Sequence, residues 1–427
     1  MEQRIAELTR FLNTSHSSYH AVAALTAELE AAGYTRLAEG EGWELTPGGK
    51  YYLTRGGCAL TAFRIPNGTP RGFLLSASHS DRPSFKLKEN GELTGKYTRI
   101  ATEKYGGMLI APWLDRPLSV AGRVLTETEK GTESRLVDID RDLLLIPNVA
   151  IHMNRKANEG YVWNPAVDTL PLAGGEGAQG KLWKEIEQTA GGKILGHDLY
   201  LYVRQHPSVW GVDQEYISAQ GLDDLACAWC CMQGFLTSKE SDCIPVLSVL
   251  DAEEVGSSSA QGAASRFLES VLGRICKALK LDAEQLLNQS FMLSADNAHA
   301  VHPNHPEYAD ANNAPVVNGG VVLKFNANLR YTTDGASAAV FRKICAKADV
   351  PVQTYYNRAD LPGGSTLGCI SLAQVSVPSA DIGLPQLAMH SCYETVGVKD
   401  VLDLETAMQT YYGSSIDSNG NGSYELG

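Results

Sequence analysis

Acidic and imidazole side chains recur in this sequence at the points where apolar runs stop. His79 and Asp81 follow the run Phe73–Ala77 in GFLLSASHSD, and Glu253 and Glu254 close IPVLSVLDAEE. Asp296 closes FMLSAD, His390 follows IGLPQLAM, and Asp223 opens the helical stretch LDDLACAWCCMQGF. Oxygen and nitrogen ligands with no thiolate among them suit a hard-to-borderline divalent cation. Gathered at one place, so many carboxylates would repel one another, and two divalent cations would remove that cost. Asp223 is then the natural bridge, because one carboxylate can give an oxygen to each of two ions. His79 and Asp296 complete one position, Glu254 and His390 the other. Asp81, two residues from His79, can accept the free ring N–H and fix its tautomer. Adjacent residues at a strand end point in different directions, so Glu254 can bind metal while Glu253 faces a water as general base. Two ions ~3.5–4 Å apart would activate that water and polarise a carbonyl. Singly, each residue has a blander reading: His-x-Asp as a cap, Glu-Glu as a solvated face, Asp223 as a helix-start acid favoured by the dipole. Their coincidence at the ends of core strands favours the metal centre.

The elements that must position these groups can be read from periodicity. Residues 1–35 read as helix, with Ile5, Leu8, Phe11 and Leu12 at helical spacing, then Val22, Leu25 and Leu29. Short β-runs follow at YYLTRGG and ALTAFRI, and GFLLSAS is a buried strand. From about residue 91 to 214 the chain turns strand-rich, with LSVAGRVL and SRLVDID among Gly, Asn and Pro loops. Beyond it, strands and helices alternate: Leu222–Leu236 and Ala260–Leu287 as helices (the latter broken once), IPVLSVL, FMLSA and GGVVLKFN as strands, ASAAVFRKICAKAD as a helix, and strand–helix–strand again through VPVQTYYN and GSTLGCISLAQ to AMHS. This alternation predicts an α/β fold with a mostly parallel sheet flanked by helices. Ligands in such sheets lie outside the carboxyl ends of the strands. The expected organisation is a discontinuous catalytic domain, 1–93 and 215–427, interrupted by a β-rich insertion at 94–214. The polar tail SIDSNGNGSYELG reads as loosely held.

Composition narrows the class. The 427 residues exceed what one core usually supports. With 36 Lys+Arg against 49 Asp+Glu the formal charge is −13, which argues against nucleic-acid or anionic-membrane partners. No run approaches a membrane span, and the start MEQRIAELTRFLNTS lacks the basic and apolar regions of a signal peptide, so a cytoplasmic location is expected. The nine cysteines show no regular framework. Cys227, Cys230 and Cys231 sit in an apolar helical stretch and read as core packing rather than a metal or redox motif.

At the segments SHSDRPSFKLK, YGGMLIAPWLDRPLSVAGRV, AQGLDDLA, LDAEEVGSSSAQGA, SADNAHAVHPN, NGGVVLKFNANLRY, LPGGSTLG and DIGLPQLAMHS the sequence resembles the aspartyl aminopeptidase family of dinuclear zinc metallopeptidases. The resemblance runs over nearly the whole chain. It implies zinc ligands at His79, Asp223, Glu254, Asp296 and His390, with Glu253 as base. It also implies two zinc ions per subunit, for which cobalt or manganese could substitute. The implied fold is an α/β catalytic domain interrupted by a β-rich dimerisation and lid domain, assembled into tetrahedral dodecamers. The implied reaction is removal of the N-terminal residue, often acidic, from a peptide. Family substrate contacts map to His299, Lys324 and Tyr331. A cation at Lys324 could pair with an acidic substrate side chain, against the simpler reading of a lysine snorkelling at a sheet edge. Family members usually carry Gly-Leu-Trp-His-Thr-Trp where this chain has Met108 to Trp113, so Ala111 replaces a histidine that in relatives reaches a neighbouring subunit. Gly221-Leu222-Asp223-Asp224 and Pro362-Gly363-Gly364-Ser365-Thr366 also depart from the family pattern. These changes spare the metal ligands and alter the substrate pocket, which points to a broader or more apolar specificity. Two other readings stand beside this one: an amidohydrolase or carboxypeptidase with the same two-metal chemistry, and a non-catalytic assembly scaffold.

Overall fold

The computed structural model describes residues 1–427. Its centre is a nine-stranded mixed sheet. Four strands at its middle, Ile244–Leu250, Phe73–His79, Phe291–Ala295 and Ser379–Gly383, lie side by side and run parallel. On one flank Ala59–Arg64 and Lys50–Arg55 pair antiparallel; on the other, Val321–Phe325 runs antiparallel to Ser379–Gly383 and parallel to Val352–Tyr356. The central strands are buried throughout and mostly apolar because both faces are covered. Leu247 and Val249 join the core cluster containing the Leu222–Thr237 and Val398–Tyr412 helices, while Val246 and Leu250 join the cluster containing Phe267–Leu279 on the opposite face.

A second, six-stranded sheet draws on residues 84–203 and carries its own core around Phe85, Trp113, Val120 and Leu199. The Lys181–Ala190 helix buries Leu182, Ile186 and Ala190 in that core. Its strand Ser84–Leu93 begins only five residues after His79, so the central sheet feeds directly into it. A five-stranded sheet joins Ser208–Trp210, Tyr216–Ala219, Glu394–Gly397, Pro385–Leu387 and Ala298–His299.

Several elements differ from the sequence expectation. The first helical stretch is two helices, Glu2–Thr14 and Ser18–Ala31, parted where the Ser17 hydroxyl accepts from the His20 N–H. Residues 260–266 are not helical: Gly262 packs so tightly that a Cβ there would lie 2.2 Å from the Ser257 carbonyl oxygen. The C-terminal tail is a hairpin of Ile416–Ser418 and Tyr424–Leu426, tied to Gln289 by two hydrogen bonds of 2.8 and 2.9 Å at Ser418. All nine cysteines are free thiols, and Cys227, Cys230 and Cys231 are fully buried in the core.

The Leu222–Thr237 helix, which carries Asp223 at its start, is held close to Val398–Tyr412 by Gly234, where a Cβ would lie 2.5 Å from Met408 Cβ and 2.7 Å from the Gln409 nitrogen. Gly234→Ala should therefore cost about 1–3 kcal/mol through overpacking, more than the roughly 1 kcal/mol of helix propensity it adds. A lower urea midpoint is the expected result; an unchanged or raised midpoint contradicts this packing.

Candidate metal centre

The carboxyl ends of the parallel strands and the start of one helix meet at a single point. His79 ends its strand fully buried, Glu253 and Glu254 form a short turn just beyond Ile244–Leu250, and Asp296 follows Phe291–Ala295. Asp223 lies in the first turn of its helix. His390 arrives from beyond Ser379–Gly383 with a left-handed backbone, φ 65°, a conformation uncommon for a residue with a side chain.

Three ligand groups have donor atoms within 4.8 Å of one another: His79, Asp223 and Asp296; Asp223, Glu254 and His390; and His79, Glu253 and Glu254. Asp223 belongs to the first two, with Oδ1 3.6 Å from His79 Nε2 and Oδ2 3.5 Å from His390 Nε2. Glu254 Oε2 is 3.4 Å from the same His390 nitrogen. The edge of a tetrahedron with bonds of 2.0–2.1 Å is ~3.4 Å, so these separations suit zinc. Asp223 Oδ1 and Glu254 Oε1 are buried with no hydrogen-bond partner, a costly state for a carboxylate that a cation would relieve. The donor set and its unpaired oxygens fit a pair of divalent ions.

Surrounding groups aim these ligands. His79 Nδ1 donates to the Asp81 carbonyl at 3.1 Å, with Asp81 Oδ1 3.4 Å away, which leaves Nε2 facing Asp223. The Asp81 carboxylate also accepts from the Glu253 and Glu254 N–H groups at 3.1 and 3.2 Å and from the Tyr105 hydroxyl at 2.7 Å. Glu394 accepts from the Asp223 N–H at 3.0 Å and the His390 N–H at 2.7 Å. Asp224 accepts from the His79 N–H at 3.0 Å. His390 Nδ1 donates to the Gly107 carbonyl at 2.5 Å, and Gly106, at φ 74°, lies where a Cβ would come 3.1 Å from Glu254 Cβ. Glu394, Tyr105 and Gly106 carry no mark of such a role in the sequence, and Asp224 stands out there only as a departure from the family pattern. Glu394 follows His390 by four residues and Asp224 adjoins Asp223, but nothing in the local pattern marks either as a clamp.

Beside the ligands lies a cavity of about 280 Å³ lined by Glu253, His299, Lys324, Tyr331, Thr366 and Met389 among others. Lys324 is buried, donates from Nζ to the Asp296 and Asn297 carbonyls at 2.7 and 3.3 Å, and stands 5.1 Å over the Tyr331 ring. This is a satisfied buried lysine rather than one snorkelling at an edge. His299 is exposed on the rim, its ring 6.1 Å from that of Tyr355. Ala111 lies in a short turn, Ala111–Trp113, and is not among the cavity's lining residues.

Burial and neighbouring carboxylates push Glu253 up to about 8, against the pull of His79. Burial raises Asp296 to about 6, although Lys324 opposes it. Burial disfavours charge on His390, yet Asp223 and Glu254 lift it to about 10. Without cations the centre thus holds more protons when folded than when unfolded, from about pH 4.5 upward. Stability then falls as pH rises through the window bounded by the ordinary carboxylate values and about 8 for Glu253, and on toward 10 for His390. We expect the melting temperature of chelator-stripped protein to drop between pH 5 and 8 and the drop to shrink when zinc is added. A metal-free protein equally stable at both pH values contradicts this reading of the centre.

The family model described as aminopeptidase I zinc metalloprotease (M18) matches residues 11–412. A probable M18 family aminopeptidase 2 from Clostridium novyi is 41% identical over 411 residues, covering 92% of this chain and 95% of its own length. Among solved structures, one of the Ape4 and Nbr1 complex superposes with a TM-score of 0.92 at 34% identity, over 96% of this chain and 85% of that one. The mApe1 dodecamer of S. cerevesiae gives 0.84 at 27%, over 95% of each chain. With the match spanning both the central sheet and every ligand-bearing segment, the chain belongs to the M18 family of zinc metallo-aminopeptidases.

Proposed function

We propose that this aminopeptidase hydrolyses the first peptide bond of its substrates with two zinc ions per subunit, one held by His79, Asp223 and Asp296 and one by Asp223, Glu254 and His390. The observation that carries this reading is the pair of ligand groups sharing Asp223, with unpaired oxygens on both Asp223 and Glu254. Zinc bound there would supply Lewis acidity to the scissile carbonyl and to a water. Glu253 lines the cavity beside these ligands and takes the proton from the attacking water, then gives it to the departing amine. Its pKa would be pulled back down from about 8 by divalent cations beside it, leaving the carboxylate ionised to accept that proton. Asp81 acts behind His79 by fixing the ring and the 253–254 turn together. Cobalt or manganese could replace zinc at ligands of this type.

The cavity is the site for the first side chain, with His299, Lys324 and Tyr331 among its walls. Lys324 spends two N–H groups on main-chain carbonyls and keeps one for Asp296 or a substrate carboxylate. Acidic first residues are therefore accepted without being required. The six-stranded sheet, residues 84–203, is the inserted dimerisation and lid unit. It overlaps the insertion expected at 94–214 between catalytic segments 1–93 and 215–427, but its strand Ser84–Leu93 falls before that boundary. Between strands Gly131–Asp138 and Leu172–Gly175 of this unit Met153, Val162 and Val167 are 83%, 94% and 65% exposed, apolar side chains that contact with other copies of the chain would cover. Assembly as a dodecamer, as mApe1 has, is part of the proposal. No helix is long and apolar enough to cross a membrane, and nine free thiols suit a reducing, cytoplasmic setting.

Chelation should abolish hydrolysis and zinc, cobalt or manganese should restore it; activity indifferent to chelators contradicts the proposal. Glu253→Gln should lower kcat by about 10²–10⁴-fold while bound metal stays at the wild-type level. Aspartyl and leucyl arylamides should both be cleaved, with kcat/KM values within about a hundredfold of each other. N-acetylated peptides should be refused, and their cleavage would favour an amidohydrolase or carboxypeptidase.

A further inference from the structure

Asp381 is a fully buried carboxylate in the central strand Ser379–Gly383, and nothing in the reaction outlined above uses it. It sits beside Ser294 of the neighbouring strand, two residues before Asp296. Its bonds leave the sheet and run to two separate loops. Oδ1 accepts from the Thr366 hydroxyl at 2.7 Å, and Oδ2 accepts from the Thr332 hydroxyl at 2.8 Å and from the Thr332 main-chain N–H. The Asp381 N–H donates to the Thr333 hydroxyl at 2.8 Å. Both loops are walls of the cavity beside the ligands: one contributes Tyr331, the other Gly364, Ser365 and Thr366.

Thr366 shows what the contact does. It occupies the N-cap of the Leu367–Ser371 helix, a place where threonine usually caps through its hydroxyl, yet that hydroxyl makes no cap bond and is given to Asp381 instead. Residues 359–365 before it are exposed, and Thr366 is where the chain returns to the interior. The buried ammonium of Lys324 is offset by Asp296 and Asp381 together, so the carboxylate that holds the two loops also balances charge beneath the pocket. A carboxylate has about four acceptor positions, and Asp381 uses three of them on the pocket walls.

We propose that Asp381 is a positioning residue that sets the shape of the first-side-chain pocket by holding the Tyr331 wall and the Gly364–Thr366 wall at a fixed separation. This inference rests on the assignment of the cavity to the substrate's first residue. Asn at 381 keeps the size of the side chain, and its one oxygen can still accept from Thr332. Its NH₂ group then faces Thr366, whose O–H loses its acceptor, while Lys324 loses a balancing charge. Val at 366 removes the same clasp from the loop side at nearly constant volume, and Ser keeps the hydroxyl.

The test is steady-state hydrolysis of leucyl and alanyl arylamides by Asp381→Asn, Thr366→Val and Thr366→Ser in zinc-loaded full-length enzyme, with metal content and melting temperature measured alongside. Loss of one such bond corresponds to about tenfold. KM should rise about tenfold in Asp381→Asn and Thr366→Val with kcat within about twofold. The leucyl-to-alanyl preference should change, Thr366→Ser should recover most of the loss, and metal content should hold. Wild-type KM for both substrates in Thr366→Val, or a Thr366→Ser as impaired as Thr366→Val, overturns the proposal even if Asp381→Asn fails to fold. A wild-type enzyme that cleaves neither arylamide would instead overturn the reading of the cavity as a pocket open to apolar first residues, on which it rests.

Discussion

Mutual repulsion among buried carboxylates is the constraint around which this structure is organised. Asp81, Asp223, Asp224, Asp296 and Glu394 are each nine-tenths or more buried, and Glu253 and Glu254 complete the group. Such a concentration is unfavourable unless positive charge accompanies it. Within the chain that charge comes from His79, His390, Lys324 and the buried Arg82 beside Glu394 and Asp81, and burial still leaves Glu253, Glu254 and Asp224 far above the usual carboxylate range. Two divalent ions would turn this cost into binding free energy, so ligand placement, stability and chemistry become one problem.

The scaffold solves it with two kinds of carboxylate. Some present free oxygens to the centre, as Asp223 and Glu254 do. Others are spent on main-chain N–H groups and hold the first set still. Asp81 joins the His79 strand end to the 253–254 turn, and Glu394 joins Asp223 to His390. The second sheet takes part as well, since Tyr105 reaches Asp81 and the Gly107 carbonyl orients His390. Separating the central sheet from the β-rich sheet would therefore disturb the ligands as well as the cover over them.

The residues that meet at the centre could be read from sequence because they share a local signature, a polar side chain where an apolar strand ends. His79, Glu254 and Asp296 follow three parallel strands, and that topology brings them to one edge without further information. The clamps were hidden for the opposite reason. Glu394 and Asp223 are 171 positions apart, as are Asp381 and Thr332 by 49, and no periodicity encodes such pairings. Element types were legible where apolar periodicity was strong, as in Phe73–His79 and Leu222–Thr237. They failed where one side-chain cap or one close glycine contact decided the matter, as at Ser17 and Gly262, and in the tail, where Gln289 supplies partners that the tail's own composition does not show.

The most direct test of this account is a crystal structure of the zinc-loaded protein with anomalous data collected at the zinc edge. Two peaks are expected, one among His79, Asp223 and Asp296 and one among Asp223, Glu254 and His390, with Asp223 reaching both. A map with no peak at these residues, or with a single ion that leaves Asp223 bound on one side only, would contradict the claim that paired cations resolve the buried charge.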